Sequence, residues 1–259
     1  MSDQTSGVTT GTVPGHSVVA VADIVHSLTR PFDVAELMDA VADAARRGFA
    51  AQSSAVVVLD RTREPVRAEA VAAAGDASAV DDPSLSTSGP GLTAAGDGAL
   101  AVIGDLDEQS DRWPRYREHA RDAGIRAVHA FPIRFMDRPV GSVVVHTADP
   151  WGQNRPVMLG QLLADLAAIA LSAGITDAQP ATVEVVVDRL IRDNRTIATA
   201  VGITAATLDL DPVAARRELR RLAAAHQAPF AAHARALVDA HDRRPGDHGG
   251  LLSDPYTRS

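Results

Sequence analysis

Apolar positions first recur at three- and four-residue spacing from Ser17 onward. Val18, Val21, Ile24, Val25 and Leu28 mark one face of a helix that Pro31 ends. Asp33 then stands where a helix N-cap belongs, with Glu36 three residues on as a capping box. Val34, Leu37, Val41 and Ala45 form the apolar face behind it. The period changes at residues 55–59, a continuous apolar run of strand length, and a second strand is predicted at 66–71 after the turn at 60–65. Residues 75–98 are rich in Asp, Ser, Gly and Pro and read as a long loop. A short strand is expected at 100–103. A helix at 113–123 follows, closed by Gly124 as a left-handed cap. Strands at 127–135 and 140–147 flank the hairpin-like Met136-Asp137-Arg138-Pro139. Residues 156–173 form a long amphipathic helix with Leu159, Leu162, Leu163, Leu166 and Ile169 on one face.

Beyond that helix, residues 174–182 with Pro180 read as a linker, and everything after them is helical. Residues 183–191 run into 196–208, Asp211-Pro212 opens the next helix, and Pro229 opens the last, through about His241. The expected division is a disordered tail at 1–16, a larger domain at 17–174, a helical domain at 175–242 and a second tail at 243–259. The fold class is α+β: an antiparallel sheet flanked by helices, followed by a small all-α domain of three helices.

Composition narrows the chemistry. There is no cysteine, which excludes disulfides, iron–sulfur clusters and thiolate zinc sites. Phosphate-binding loops, Gly-x-Ser-x-Gly and His-Glu-x-x-His are absent, so no enzyme and no cofactor is expected. No run approaches the ~18 apolar residues of a membrane span, and the N-terminus lacks a signal-peptide pattern; a cytoplasmic protein is expected. The net charge is −8, unevenly spread. Residues 181–244 hold ten arginines against eight acidic residues, a net of +2, which leaves the rest of the chain at −10.

The order of elements, and the local sequences Trp113-Pro114-Arg115-Tyr116, Gly124-Ile125-Arg126-Ala127-Val128, Phe131-Pro132-Ile133 and Arg138-Pro139-Val140-Gly141-Ser142-Val143, are similar to those of GAF domains. The C-terminal part resembles ANTAR, an RNA-binding output domain of bacterial antitermination regulators. Arg195, Ile197, Ala200, Gly202 and Ile203 carry that likeness, followed by Asp209, Asp211, Ala215, Leu219, Arg220, Ala234, Leu237 and Val238. Arg216 stands where the family has Phe, His226-Gln227-Ala228-Pro229 replaces its polar loop, and His233 replaces a Val. The resemblance implies an actinobacterial type of regulator: a GAF sensor for a small-molecule or protein signal, and a dimeric ANTAR end that binds leader-RNA hairpins and prevents termination.

The residues offer matching chemistry. Arg216, Arg217, Arg220 and Arg221 fall on two adjacent lines of one helix and together form a cationic stripe beside Val213, Leu219 and Leu222. Arg192, Arg195 and Gly202 extend the RNA-binding set, Gly202 either by close approach or by ending a helix. The alternatives are a dimerisation or protein-interaction module that no longer binds RNA, and a DNA-binding helix-turn-helix with Gly202 in its turn. In the GAF part Trp113, His129, Arg134 and His146, with Trp151, are candidates to line a ligand pocket; the two histidines lack the carboxylate partner a metal site needs.

Overall fold

The computed structural model describes residues 15–75, 82–152, 155–173, 182–244, 246, 248–253 and 255. Residues 1–14 of the expected tail and 174–181 of the expected linker lie outside these.

Helix α1 (Gly15–Leu28) leads into α2 (Val34–Gly48), whose N-cap Asp33 accepts a hydrogen bond from Ala35 N at 2.8 Å. Strands β1 (Ser53–Asp60), β2 (Arg67–Gly75), β3 (Ala101–Ile103), β4 (Ala127–Phe135) and β5 (Arg138–Thr147) build one antiparallel sheet in the order β2-β1-β5-β4-β3. Every residue of β1 is buried. A strand with neighbours on both edges and helices on both faces needs such a continuous apolar run. Between β4 and β5 the chain reverses in two residues, Met136 and Asp137, both at positive φ. That is the geometry of a tight hairpin whose twist matches the strands it joins.

Residues 75–98 are not simply a loop. They carry α3 (Ser84–Thr87) and α4 (Gly89–Asp97), and Gly98 closes α4 at φ 66°. The glycines that argue locally against helix are what lets α4 lie flat on the sheet. A Cβ on Gly91 would stand 1.9 Å from Ser86 O and 3.0 Å from Val144 Cγ2. Helix α5 (Pro114–Asp122) follows, with Trp113 at φ 53° before it and Gly124 at φ 72° after it.

The sheet therefore has two covered faces. Val57, Val128, Ala130 and Val144 pack under α3, α4 and α5 with Leu85, Ala94 and Tyr116. Val56, Val58, Phe131, Val143 and Val145 pack under α1, α2 and α6 (Val157–Ala173). On α6, Leu159, Leu163 and Leu166 are buried as expected, but Leu162 and Ile169 are exposed. On α1, Ile24 is buried, while Val18 and Val25 are exposed.

The last three helices are α7 (Val183–Leu208), α8 (Pro212–Ala225) and α9 (Phe230–Arg243). Helix α7 is a single 26-residue helix running unbroken through Gly202. This corrects the reading of Gly202 as a helix end and removes the helix-turn-helix, which needs its turn there. Asp209 at φ 52° ends α7, and Asp211 caps α8 by accepting from Ala214 N at 2.9 Å. Val213, expected on the apolar face, is exposed; Ala215, Leu219, Leu222 and Ala223 form that face instead.

These helices are not a separate unit with its own core. Val186, Val187, Leu190 and Ile191 of α7 share one cluster with Val56, Val58 and Phe131 of the sheet layer, and the cluster continues to Leu219, Phe230 and Leu237. Residues 248–253, expected to be tail, turn back onto the helices. Leu251 and Leu252 pack on the core, His248 Nε2 lies 2.7 Å from Thr207 Oγ1, and His226 Nε2 donates to Ser253 O at 3.0 Å. Apolar Leu251-Leu252 is the physical reason: two adjacent leucines gain by burial what a polar tail cannot.

Candidate functional site

The four residues expected to line a ligand pocket do not converge. His146 sits on the α4 side of the sheet, fully buried. Its Nδ1 lies 2.9 Å from Ser53 Oγ and its Nε2 3.1 Å from Leu85 O. The carbonyl fixes the tautomer: Nε2 carries the proton and Nδ1 accepts from the serine. Burial pushes this ring down to about 4. With both nitrogens engaged, His146 is a satisfied neutral core residue and has no lone pair free for a metal.

His129 lies on the opposite face, in register with Phe131 and Ala127. It stacks on Trp151 with ring centroids 3.5 Å apart, beside Phe49 and Phe131. Burial, and secondarily the positive charge of Arg155, push it down to about 4. Trp113 is half-buried next to α4 and donates from Nε1 to Thr93 Oγ1 at 3.2 Å. Arg134 is exposed at the β4–β5 hairpin, 3.4 Å from Asp137.

Among the described residues, two concavities stand away from the space between α4 and the sheet. One, about 10 Å³, is lined by Leu59, Arg138, Val183 and Glu184. The other is an open groove of about 290 Å³ lined by Arg134, Phe135, Met136, Asp165 and Ile169. The α4 side is instead filled: Ser142 Oγ donates to Gly91 O at 2.9 Å, and Tyr116 OH donates to Leu85 O at 3.1 Å, with burial pushing its phenol up.

The arginines expected to bind RNA are distributed differently from a single solvated stripe. The line of Arg216 and Arg220 faces inward, onto α2. Arg216 Nη2 reaches Asp39 Oδ1 at 2.9 Å and Oδ2 at 2.7 Å, and Arg220 Nη2 reaches the same Oδ2 at 2.5 Å. Asp39 is only 12 % exposed. Both guanidinium groups lie over the buried Phe230 ring, at 5.7 and 5.2 Å. The line of Arg217 and Arg221 faces out; Arg221 pairs with Glu218 at 2.8 Å. Arg195 pairs with Glu69 of β2, and Arg192 with Asp188 one turn away. Gly202 is exposed, and a Cβ there would meet nothing within 4 Å.

Further polar contacts tie the last helices to the elements before them. Asp33 caps α2 with one oxygen and accepts from Ala231 N, at the start of α9, with the other at 2.8 Å. Glu184 of α7 pairs with Arg138 of β5 at 3.0 Å. The arginines are visible in the sequence; their partners are not. Asp39, Glu69 and Phe230 carry no local signal, because each acquires its role from a residue far along the chain.

Residues 33–171 match the sequence profile of the GAF domain. The chain belongs to the GAF family. No curated protein matches it. Among solved structures, it is similar to the chromophore-binding domain of a bacteriophytochrome from R. palustris, with 14% identity, TM-score 0.47, and 61% of this chain and 60% of that one covered. It is also similar to the corresponding domain of Stigmatella aurantiaca bacteriophytochrome (18% identity, TM-score 0.47, 64% of each chain). A third likeness is to a phycocyanobilin-bound GAF domain of a cyanobacterial phytochrome (11% identity, TM-score 0.49, 61% of this chain and 95% of that one). The chain spans about three fifths of the length of the two chromophore-binding domains. The helices α7–α9 lie beyond the matched span. Among the described residues, no single helix is long and apolar enough to cross a membrane.

Proposed function

We propose that this GAF protein is a non-catalytic, signal-responsive regulator. Its GAF domain receives a small-molecule or protein signal, and its ANTAR-like helices α7–α9 bind leader-RNA hairpins, as a dimer, to prevent termination. The observation that carries the reading is the seating of α8 on α2. The basic helix is joined to the receiving domain through Asp39, so a change in α2 is felt directly at the arginines. Arg217 and Arg221 remain at the outward edge of α8, on its solvent side, with Arg221 held by Glu218. The exposed apolar residues Met158, Leu162 and Ile169 of α6 supply a face for the second copy.

Full-length wild type and Asp39→Asn, each with and without the pair Arg217→Glu and Arg221→Glu, are compared for retention of a two-hairpin leader RNA across a salt series. The reversed charges should weaken retention at least ~10-fold and make its salt dependence shallower, since each phosphate contact contributes about one counterion to the slope. Retention that is unchanged by the reversed charges, or absent from both wild type and Asp39→Asn, overturns the RNA reading. The second reading, an interaction module without RNA binding, draws on the neutralisation of Arg195, Arg216 and Arg220 by carboxylates of the GAF layer.

A further inference from the structure

The α2–α8 contact is built like a receptor for an oxyanion. Arg216 and Arg220 lie four residues apart on one line of α8, and both present Nη2 to the same carboxylate oxygen of Asp39. Both guanidinium carbons lie over the Phe230 ring, which is itself fully buried, so the fork meets a fixed ring as well as the anion. Two cations share one anion directly here, with the carboxylates of Asp33 and Glu36 beside them. Asp33 spends both oxygens on the Ala35 and Ala231 N–H groups. Burial first, then Asp33, pushes the Glu36 carboxyl up; Arg220 pulls it down, and Asp39 adds a smaller upward push. A phosphate group offers the same two-oxygen bite to paired guanidinium groups, and arginine forks suit it for that reason. Asp39 comes from the other end of the chain, 177 and 181 positions away from its partners, so the anion now in the fork is one that a movement of α8 would withdraw.

We infer that Arg216, Arg220 and Phe230 form a binding site for a phosphate-class oxyanion, and that Asp39 fills it from within the chain. Entry of the ligand and release of α8 from α2 are then one event. The inference rests on the regulatory reading above only for the use made of that release; the site itself takes the phosphodiester of RNA or a free phosphate by the same chemistry.

Asp39→Asn removes the internal anion at nearly constant shape. In the full chain, calorimetric titration with inorganic pyrophosphate should show the variant binding at least ~10-fold tighter than wild type. Adding Arg216→Gln and Arg220→Gln should abolish the gain. Amide hydrogen exchange over α8 should be at least ~10-fold faster in Asp39→Asn than in wild type. A second arm needs no variant: pyrophosphate should speed exchange over α8 in the wild-type chain relative to sodium chloride of equal ionic strength. No gain in affinity in Asp39→Asn, binding that survives Arg216→Gln and Arg220→Gln, or α8 exchange indifferent to pyrophosphate would each overturn the site. The two-hairpin RNA, run in the same series, separates the sources. RNA that gains alongside pyrophosphate assigns the site to the phosphodiester backbone. Pyrophosphate gaining alone keeps the site and removes RNA from the proposed function.

Discussion

His129 and His146 show how a residue's chemistry is set by where the fold puts it. Both were candidates for ligand contact, and both are buried rings held near 4 by burial. An unfolded histidine titrates near 6.5. Above that value the rings are neutral in both states. Between 6.5 and 4 the unfolded chain takes up protons that the folded chain refuses, so the stability supplied by neutral burial is lost as pH falls through this window. Each ring steepens the loss by up to about 1.4 kcal/mol per pH unit. Urea unfolding at intervals between pH 7 and 4 tests this. His129→Phe keeps the stack on Trp151 and discards the ring nitrogen, so its stability should fall less steeply with acid than that of wild type. His146→Leu should start lower, because Ser53 and Leu85 O lose their partner, yet also fall less steeply. Slopes parallel to wild type in both variants would contradict the account. A histidine on a strand announces neither of its two faces, which is why alternation along β4 and β5 could nominate both rings but not reveal that they point apart.

At the scale of elements, legibility followed the reach of the forces involved. The N-cap Asp33 of α2, the start of α8 at Asp211-Pro212, the site of the β4–β5 hairpin and the buried run of β1 depend on neighbours within a few residues and are legible in the sequence. The Glu36 half of the expected capping box, however, is not formed, and the hairpin is tighter than the expected 136–139. Helix α4 depends on the sheet beneath it, so its Gly-Pro-Gly start reads as loop until the sheet is present. Helix α7 fails in the opposite sense: Gly202 looks like a break, yet burial of Ile197, Ala200 and Thr204 carries the helix through it. The two glycines accordingly predict opposite outcomes. Gly202→Ala fills open space in a helix interior and should stabilise the protein by about 0.5–1 kcal/mol. Gly91→Ala places a methyl against Ser86 O and should destabilise it by at least about 1–3 kcal/mol, the usual cost of overpacking. Thermal unfolding of the two variants beside wild type decides; a loss of stability in Gly202→Ala would mean that its open surroundings have been misjudged. The arginines expected to bind RNA were legible in their residue types and in their division into two helical lines. Their partners were not, since Asp39 and Glu69 meet the arginines only after the last helices fold back onto the GAF layer.

For the whole molecule, the uneven charge seen along the chain becomes a seam. The acidic GAF layer supplies Asp33, Asp39 and Glu69, and the mildly basic C-terminal helices supply Arg195, Arg216 and Arg220. The two halves of that C-terminal region are nevertheless fastened by different forces. The first half of α7 buries Val183, Val186, Val187, Leu190 and Ile191 against the shared core, an attachment that salt does not weaken. Helix α8 meets α2 through the Asp39 fork, and Arg195 meets β2 through Glu69 with both side chains partly exposed. Exposed pairs contribute about 0.2–1 kcal/mol each and are screened, the Debye length shrinking to about 3 Å at 1 M salt. Raising sodium chloride from about 0.05 to 1 M should therefore speed amide exchange over α8 and the start of α9 by several-fold, while the first half of α7 and strands β1 and β5 stay as protected as before. A uniform response along the chain would mean that the seam opens only with global unfolding, and no response at all would mean that its ion pairs are ornaments on an apolar joint. A response confined to α8 and α9 identifies the charged half of the joint as the part able to move, with α7 as the anchor from which it swings.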